Sequence, residues 1–301
     1  MKISRSRFID VRGLRLHVRE WGETGAPRLY LLHGWMDASP SFQFLVDAFA
    51  HDWHVLAPDW RGFGLSACSG DAYWFPDYFA DLDALLRIIE GDDDTPVRLV
   101  GHSMGGNVAL MYAGIRPGRV ARVAALDAIG LPNRPPDEAP GRYRKWLEQL
   151  KETPRPAVSA DLGELAARLR RNNPRLDAAR AAWLAEALAQ TDGAGVRIAG
   201  DVAHRRVNPV LYRRAEAEAC WRRVRAEVLV VEPEDDELRL RMGISDEEYA
   251  AALACFGALR RERIADCGHN LHHDQPQRLA AILETFLLAG QPPRPSPELQ
   301  S

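Results

Sequence analysis

The sequence predicts an α/β fold: a mostly parallel central sheet of about eight strands flanked by helices, with a helical cap inserted after the sixth strand. Three observations carry this. Short apolar runs ending in turn residues alternate with stretches of helical periodicity. The alternation breaks between about 130 and 225, where only helical patterns occur. A glycine-flanked serine sits where one apolar run gives way to a helix.

The strand candidates come in order. RFIDV and LRLHVRE flank Arg12-Gly13 and read as a β-hairpin. RLYLLHG near 28–34, HVLAPD near 54–59, VRLVGHS near 97–103 and RVAALDA near 122–128 follow, then EVLVVEP near 227–233 and RRERIAD near 260–266. Several are apolar without alternation, as strands covered on both faces require. FPDYFADLDALLRIIE, near 75–90, places apolar residues at i, i+3 and i+4, and NVALMYAGI and PQRLAAILETFLLA continue the helical set. Between 130 and 225 the helical segments are GRYRKWLEQLKE, LGELAARLRR, DAARAAWLAEALAQ and LYRRAEAEACWRRV. The division this implies is a core over 1–129, a helical cap over 130–225, the rest of the core over 226–290 and a Pro-rich disordered tail over 291–301.

At 301 residues the chain can bury a large core. A net charge of −3 and a pI near 6.3 argue against a nucleic-acid binder, which is usually basic. Charge is uneven, however. Residues 141–225 hold 18 Lys and Arg against 10 Asp and Glu, while the remainder holds 21 against 32. A basic lid would favour anionic substrates, whereas solvated arginine-rich helix faces would carry the same count. The four cysteines have no paired spacing and read as free thiols of a reducing compartment. MKISRSRFIDVRG has no apolar core of a signal peptide, and no apolar run reaches membrane-spanning length. A cytoplasmic protein with no membrane partner is expected, and its oligomeric state is left open.

Gly101-His102-Ser103-Met104-Gly105 is G-x-S-x-G between a strand and a helix. A sharp turn there leaves no room for side chains two positions before and two positions after the serine, so those positions need glycine. The hydroxyl stands above the sheet at a helix N-terminus, where developing negative charge is favoured. Three further segments accompany it: His33-Gly34-Trp35-Met36-Asp37, Asp59-Trp60-Arg61-Gly62-Phe63-Gly64-Leu65-Ser66 and Cys267-Gly268-His269-Asn270-Leu271-His272. With these, the chain resembles the α/β-hydrolase family in its capped, esterase-like serine-hydrolase form, from about 8 to 290.

The resemblance implies roles. Ser103 becomes the nucleophile and His269 its base. The acid of the triad takes the place of Asp236, in Glu232-Pro233-Glu234-Asp235-Asp236, although proline stands where the family has glycine and, by altering the turn, leaves Glu234 and Asp235 as alternatives. Asp127, after the sixth strand, is the alternative acid. The backbone N–H groups of Trp35 and Met104 form the oxyanion hole, and the side chains of Trp35 and Met36 line the acyl pocket. His33, His102 and His272 read as structural. HNLHHD could bind a metal, but it lacks a matching carboxylate and cysteine pattern, so neither metal nor cofactor is expected.

The reaction implied is cleavage of a small-molecule carboxylic ester, thioester or lactone through an acyl-enzyme. Epoxide hydrolases and haloalkane dehalogenases of this fold carry an aspartate at the nucleophile, so Ser103 argues against them. A non-catalytic binding protein, a cofactor-free lyase, a perhydrolase and a carbon–carbon hydrolase remain as alternatives.

Overall fold

The computed structural model describes residues 1–289 apart from 71, 92–94, 153–154 and 194; the predicted tail at 291–301 lies outside the described residues. Strands β1 (Ser4–Val11) and β2 (Leu14–Trp21) form the antiparallel hairpin, turning through Arg12 and Gly13, both at positive φ. β3 (Arg28–Leu32), α1 (Gln43–Ala48), β4 (His54–Pro58), α2 (Phe75–Glu90), β5 (Val97–His102), α3 (Met104–Ile115) and β6 (Val120–Leu126) follow. The insertion then contributes α4 (Ala139–Leu150), α5 (Leu162–Asn172), α6 (Ala178–Leu188), β7 (Ala189–Asp192), β8 (Gly195–Ile198) and α7 (Arg214–Trp221). β9 (Glu227–Pro233), α8 (Glu237–Met242), α9 (Asp246–Leu253), β10 (Leu259–Ile264), α10 (Leu271–Asp274) and α11 (Pro276–Leu288) complete the chain.

Eight strands make one sheet in the order β1-β2-β4-β3-β5-β6-β9-β10. From β4 to β10 every pairing is parallel, and only the hairpin end is antiparallel. Strand periodicity divides the apolar runs between two cores. Tyr30, Leu32, Leu56, Leu99 and Val123 face one layer with Leu82, Val108 and Trp221, from α2, α3 and α7. Leu29, Leu31, Val55, Val100 and Val231 face the other, with Leu45 of α1 and Leu279, Leu283 and Phe286 of α11. Burial on both faces is why these strands are apolar throughout.

The insertion departs from its all-helical expectation. α6 ends at Leu188, and the chain forms the hairpin β7–β8 where a continued helix was expected. The glycines of TDGAGV account for this. Gly195 has φ +129, and a Cβ there would stand 2.5 Å from the Ser159 carbonyl oxygen. The hairpin also ties the insertion to the core turn after β4. The Gly64 N–H donates to Ala199 O at 3.0 Å, and the Asp201 N–H donates to Gly62 O at 2.7 Å. α5 and α6 pack through Leu165, Ala181, Leu184 and Leu188, and reach the core at Ala38 and Phe44. The four cysteines are free thiols. Among the described residues no helix is long and apolar enough to cross a membrane.

Candidate active site

Parallel order delivers the ends of β3, β5, β6, β9 and β10 to one edge of the sheet, where ligands of open α/β sheets bind. Ser103 lies between β5 and α3 with φ +51 and ψ −116, a conformation costly for a non-glycine residue. Its surroundings over-determine it. The Ser103 N–H donates to Leu126 O at 3.0 Å, and its carbonyl accepts from the Asn107 N–H at 3.0 Å. A Cβ on Gly101 would meet Gly105 O at 2.3 Å, and one on Gly105 would meet Leu32 O at 2.2 Å. The steric reading of both glycines is therefore reproduced atom by atom. Gly34 also lies close, since a Cβ there would be 3.3 Å from Ser103 Cβ.

His269 follows β10, and its Nδ1 lies 2.6 Å from Asp127 Oδ2. Asp127 follows β6 directly, at φ +46, with its N–H donating to Val231 O at 2.8 Å. Asp236 lies elsewhere. Its Oδ1 accepts from Arg263 at 2.5 Å and its Oδ2 from Arg239 at 3.3 Å. The neighbouring Asp235 accepts from Arg175 of the insertion at 3.1 Å. So the structure brings Ser103 and His269 to one cavity, joins His269 to Asp127 and occupies Asp236 with arginines.

The histidine loop is braced from two sides. Asp274 accepts from the Gly268 N–H at 2.9 Å and from Asn173 Nδ2, in the insertion, at 2.7 Å. The loop after β3 is fixed by Asp59, whose buried carboxylate accepts from the Ser39 N–H at 2.6 Å, the Leu65 N–H at 2.9 Å and His17 Nδ1 at 2.8 Å. Burial alone would raise this carboxyl. The hydrogen bonds from His17 and from the Leu65 N–H outweigh it and hold Asp59 below the usual carboxylate range. The Asp59–Ser66 segment thus acts as scaffolding for the Trp35 loop. His33 directly follows β3 with its Nε2 accepting from the Trp60 N–H at 2.9 Å, so Nδ1 carries the proton and donates to Gly34 O at 2.7 Å. Burial pushes His33 down to about 4.

A cavity of about 410 Å³ opens over Ser103 and His269, with Gly34, Trp35, Met36 and Asp37 on the core side. From the insertion, Arg168, Arg197 and Arg205 line it beside Leu169, Leu184 and Ile198. Partial burial, and then the nearby charge of Arg205, hold Arg168 below its ordinary value. A second cavity of about 190 Å³ is aromatic, lined by Trp35, Tyr73, Trp74, Phe75, Tyr78 and Trp146 together with Met104. Trp35 borders both and is 54% exposed. The individual arginines and Asp37 were not singled out from sequence. The basic excess of 141–225 was the one available signal for the arginines.

Residues 29–282 match the alpha/beta hydrolase family. The chain belongs to that family. A serine hydrolase-like protein of Danio rerio is 39% identical over 112 residues, covering 36% of this chain and 33% of that protein. Epoxide hydrolase A of Mycobacterium tuberculosis is 39% identical over 140 residues, covering 44% and 42%. These two matches span less than half the length of those relatives. Serine hydrolase-like protein 2 of Homo sapiens is 22% identical over 283 residues, covering 89% of each chain. Among solved structures, a thioesterase domain from the curacin biosynthetic pathway superposes with a TM-score of 0.80 at 24% identity, covering 93% of this chain and 99% of its own. E-2-(acetamidomethylene)succinate hydrolase gives 0.75 at 23%, covering 95% and 100%. At these identities the structural likeness is one of α/β-hydrolase fold.

Proposed function

We propose that this α/β hydrolase is a serine hydrolase of small carboxylic esters, thioesters or lactones, with Ser103, His269 and Asp127 as its triad. The observation that carries the reading is the 2.6 Å contact of His269 Nδ1 with Asp127 Oδ2 beside a strained serine in one cavity. Asp127 takes the acid role in place of Asp236. Its carboxylate accepts the Nδ1 proton, which leaves Nε2 as the base. Ser103 Oγ attacks the carbonyl carbon and its proton passes to Nε2. The carbonyl π electrons move onto oxygen, and the Trp35 and Met104 N–H groups receive that oxyanion. Collapse expels the leaving group, which takes the proton from His269. Water activated by the same imidazole then attacks the acyl-enzyme, releasing the acid and restoring Ser103.

Ser103 supports this chemistry over epoxide opening, despite the similarity to an epoxide hydrolase. An alkoxy-linked alkyl–enzyme ether would have no carbonyl for water to attack. The substrate is anionic on this reading, with its negative group among Arg168, Arg197 and Arg205 and an apolar or aromatic group beside Trp74 and Trp146. A fluorophosphonate probe tests the mechanism. It is expected to label the wild type rapidly, Ser103→Ala not at all and His269→Ala at least a thousandfold more slowly. Equal labelling of Ser103→Ala refutes the reading.

A further inference from the structure

Two buried imidazole nitrogens beside the catalytic cavity have no hydrogen-bond partner: Nδ1 of His102 and Nδ1 of His272. His102 is 3% exposed and His272 is fully buried. Buried polar atoms are nearly always satisfied, so a neighbouring pair left unmatched calls for a ligand. The Asp37 carboxylate closes the group: one oxygen of Asp37 and one nitrogen of each histidine lie within 4.8 Å of one another.

The other nitrogens define the lone pairs. His102 Nε2 lies 2.8 Å from His269 O, a carbonyl that can only accept, so Nε2 carries the proton and Nδ1 the lone pair. His272 Nε2 lies 3.0 Å from Ser41 Oγ, which lies 2.7 Å from His273 Nε2. With His272 Nε2–H donating to Ser41, the Ser41 hydroxyl proton goes to His273 Nε2 or to the Asp37 carboxylate, and either order leaves the lone pair on His272 Nδ1. Metal-binding histidines are commonly held in this way, the distal N–H donating to a carbonyl or hydroxyl.

We propose that Asp37, His102 and His272 form a binding site for a divalent transition metal, with Zn²⁺ the best match. Two imidazoles and a carboxylate suit zinc, and an open fourth position would take water or a substrate atom. Donors sharing a zinc stand roughly 3.3 Å apart, so the group closes by at most about 1.5 Å on binding. Asp37, half-buried in the loop after β3, hydrogen-bonds to Ser41 and to the Ala38 backbone, contacts it would exchange for the ion. Asp37 and His102 both line the main cavity, which gives the ion its path of entry.

The site is inhibitory. The His102 ring lies 4.5 Å from the His269 ring, centroid to centroid. A dication on Nδ1 places positive charge beside the imidazole that must itself become cationic during turnover. It also fixes His102, which holds the His269 carbonyl. The inhibition rests on the serine-hydrolase reading, whereas the binding does not.

Two measurements keep them apart. Calorimetric titration of the full chain with ZnCl₂, and titration with CoCl₂ followed by visible absorption, read binding without turnover. One ion per chain is expected in the wild type. Asp37→Asn and His272→Gln are each expected to weaken it at least tenfold, with thermal melts showing that each variant is folded. Asp37→Asn, at a half-buried position of unchanged shape, carries the test if His272→Gln does not fold. No stoichiometric ion in the wild type, or unchanged affinity in a folded Asp37→Asn, overturns the site. Zn²⁺ is further expected to slow fluorophosphonate labelling of Ser103 at least tenfold, reversibly with a chelator. Binding without slower labelling overturns the inhibition alone, and a wild type unlabelled without metal overturns the hydrolase reading instead.

Discussion

Exchanging a single carboxylate oxygen for an amide separates the two candidate acids. In Asp127→Asn the 2.6 Å contact to His269 Nδ1 loses its charge. At an effective dielectric constant near 20, a carboxylate and an imidazolium 2.6 Å apart attract by about 6 kcal/mol. The Asp127 side chain is 14% exposed, so solvent screens part of that attraction. A loss of about 4–5 kcal/mol in the transition state remains, which is a 10³–10⁴-fold fall in kcat. The amide can also present its NH₂ to Nδ1, which favours the wrong imidazole tautomer and acts in the same direction. In Asp236→Asn the bonds lost are to Arg263 and Arg239, on a side chain 31% exposed. Such pairs contribute up to about 1 kcal/mol of stability, so kcat is expected to stay within about twofold. The assay is steady-state hydrolysis of a simple aryl ester, with thermal melts of both variants to show that they are folded. A thousandfold loss in Asp236→Asn, with Asp127→Asn near wild type, would refute the assignment.

Three further outcomes follow from the geometry. Gly105→Ala drives a Cβ to within 2.2 Å of a backbone oxygen that cannot yield, so it is expected to cost about 3 kcal/mol in a denaturant melt and to slow serine labelling; unchanged values would show that the elbow relaxes freely. His33 is held neutral by burial, at about 4 against an ordinary 6.5. Because its folded value is depressed, the unfolded chain takes up its proton first. Stability is then whole above about pH 6.5 and falls by about 3 kcal/mol from this group as pH drops to about 4. His204 and His273, also pushed down to about 4 by burial, steepen the fall, and a flat denaturation midpoint between pH 6.5 and 4.5 would contradict all three. Finally, kcat/KM for an aryl ester with a carboxylate on its acyl chain is expected to drop roughly tenfold between 20 and 500 mM NaCl and in Arg168→Ala, with a neutral ester barely affected; equal salt responses would remove the anionic-substrate reading.

Much of this geometry was legible in the chain because local sterics set it. The Ser103 elbow needs glycine at 101 and 105 for contacts within one turn and with β3, so the pattern carries its own explanation. The strands were legible because burial on both faces leaves few polar residues. The β7–β8 hairpin was not, since AEALAQ continues a helical pattern and only the glycines after it reverse the chain. Partnerships across the fold were also hidden. His272 meets Ser41 across 231 residues, and Asn173 braces a loop 101 residues away. Sequence spacing carries no trace of either.

The choice between acids turns on such distant neighbours. β6 and β9 are paired, and Asp127 donates its N–H to Val231, so both candidate carboxylates leave adjacent strands at the same edge. Position along the chain cannot choose between them. Charge does. Arg263, on the edge strand, and Arg239, on α8, claim Asp236, while Arg175 of the insertion claims Asp235. No cation stands within ion-pair distance of Asp127 among the described residues apart from His269 itself. An acid already neutralised by arginine stabilises an imidazolium less, because its field is spent on a permanent cation. On the proposed reading, Asp127 keeps its field for the charge that appears only during turnover. Pro233 marks the departure in sequence, but the arginines give its physical reason: on the proposed reading, the acidic turn after β9 joins the edge strand to the insertion, and the triad draws its acid from β6.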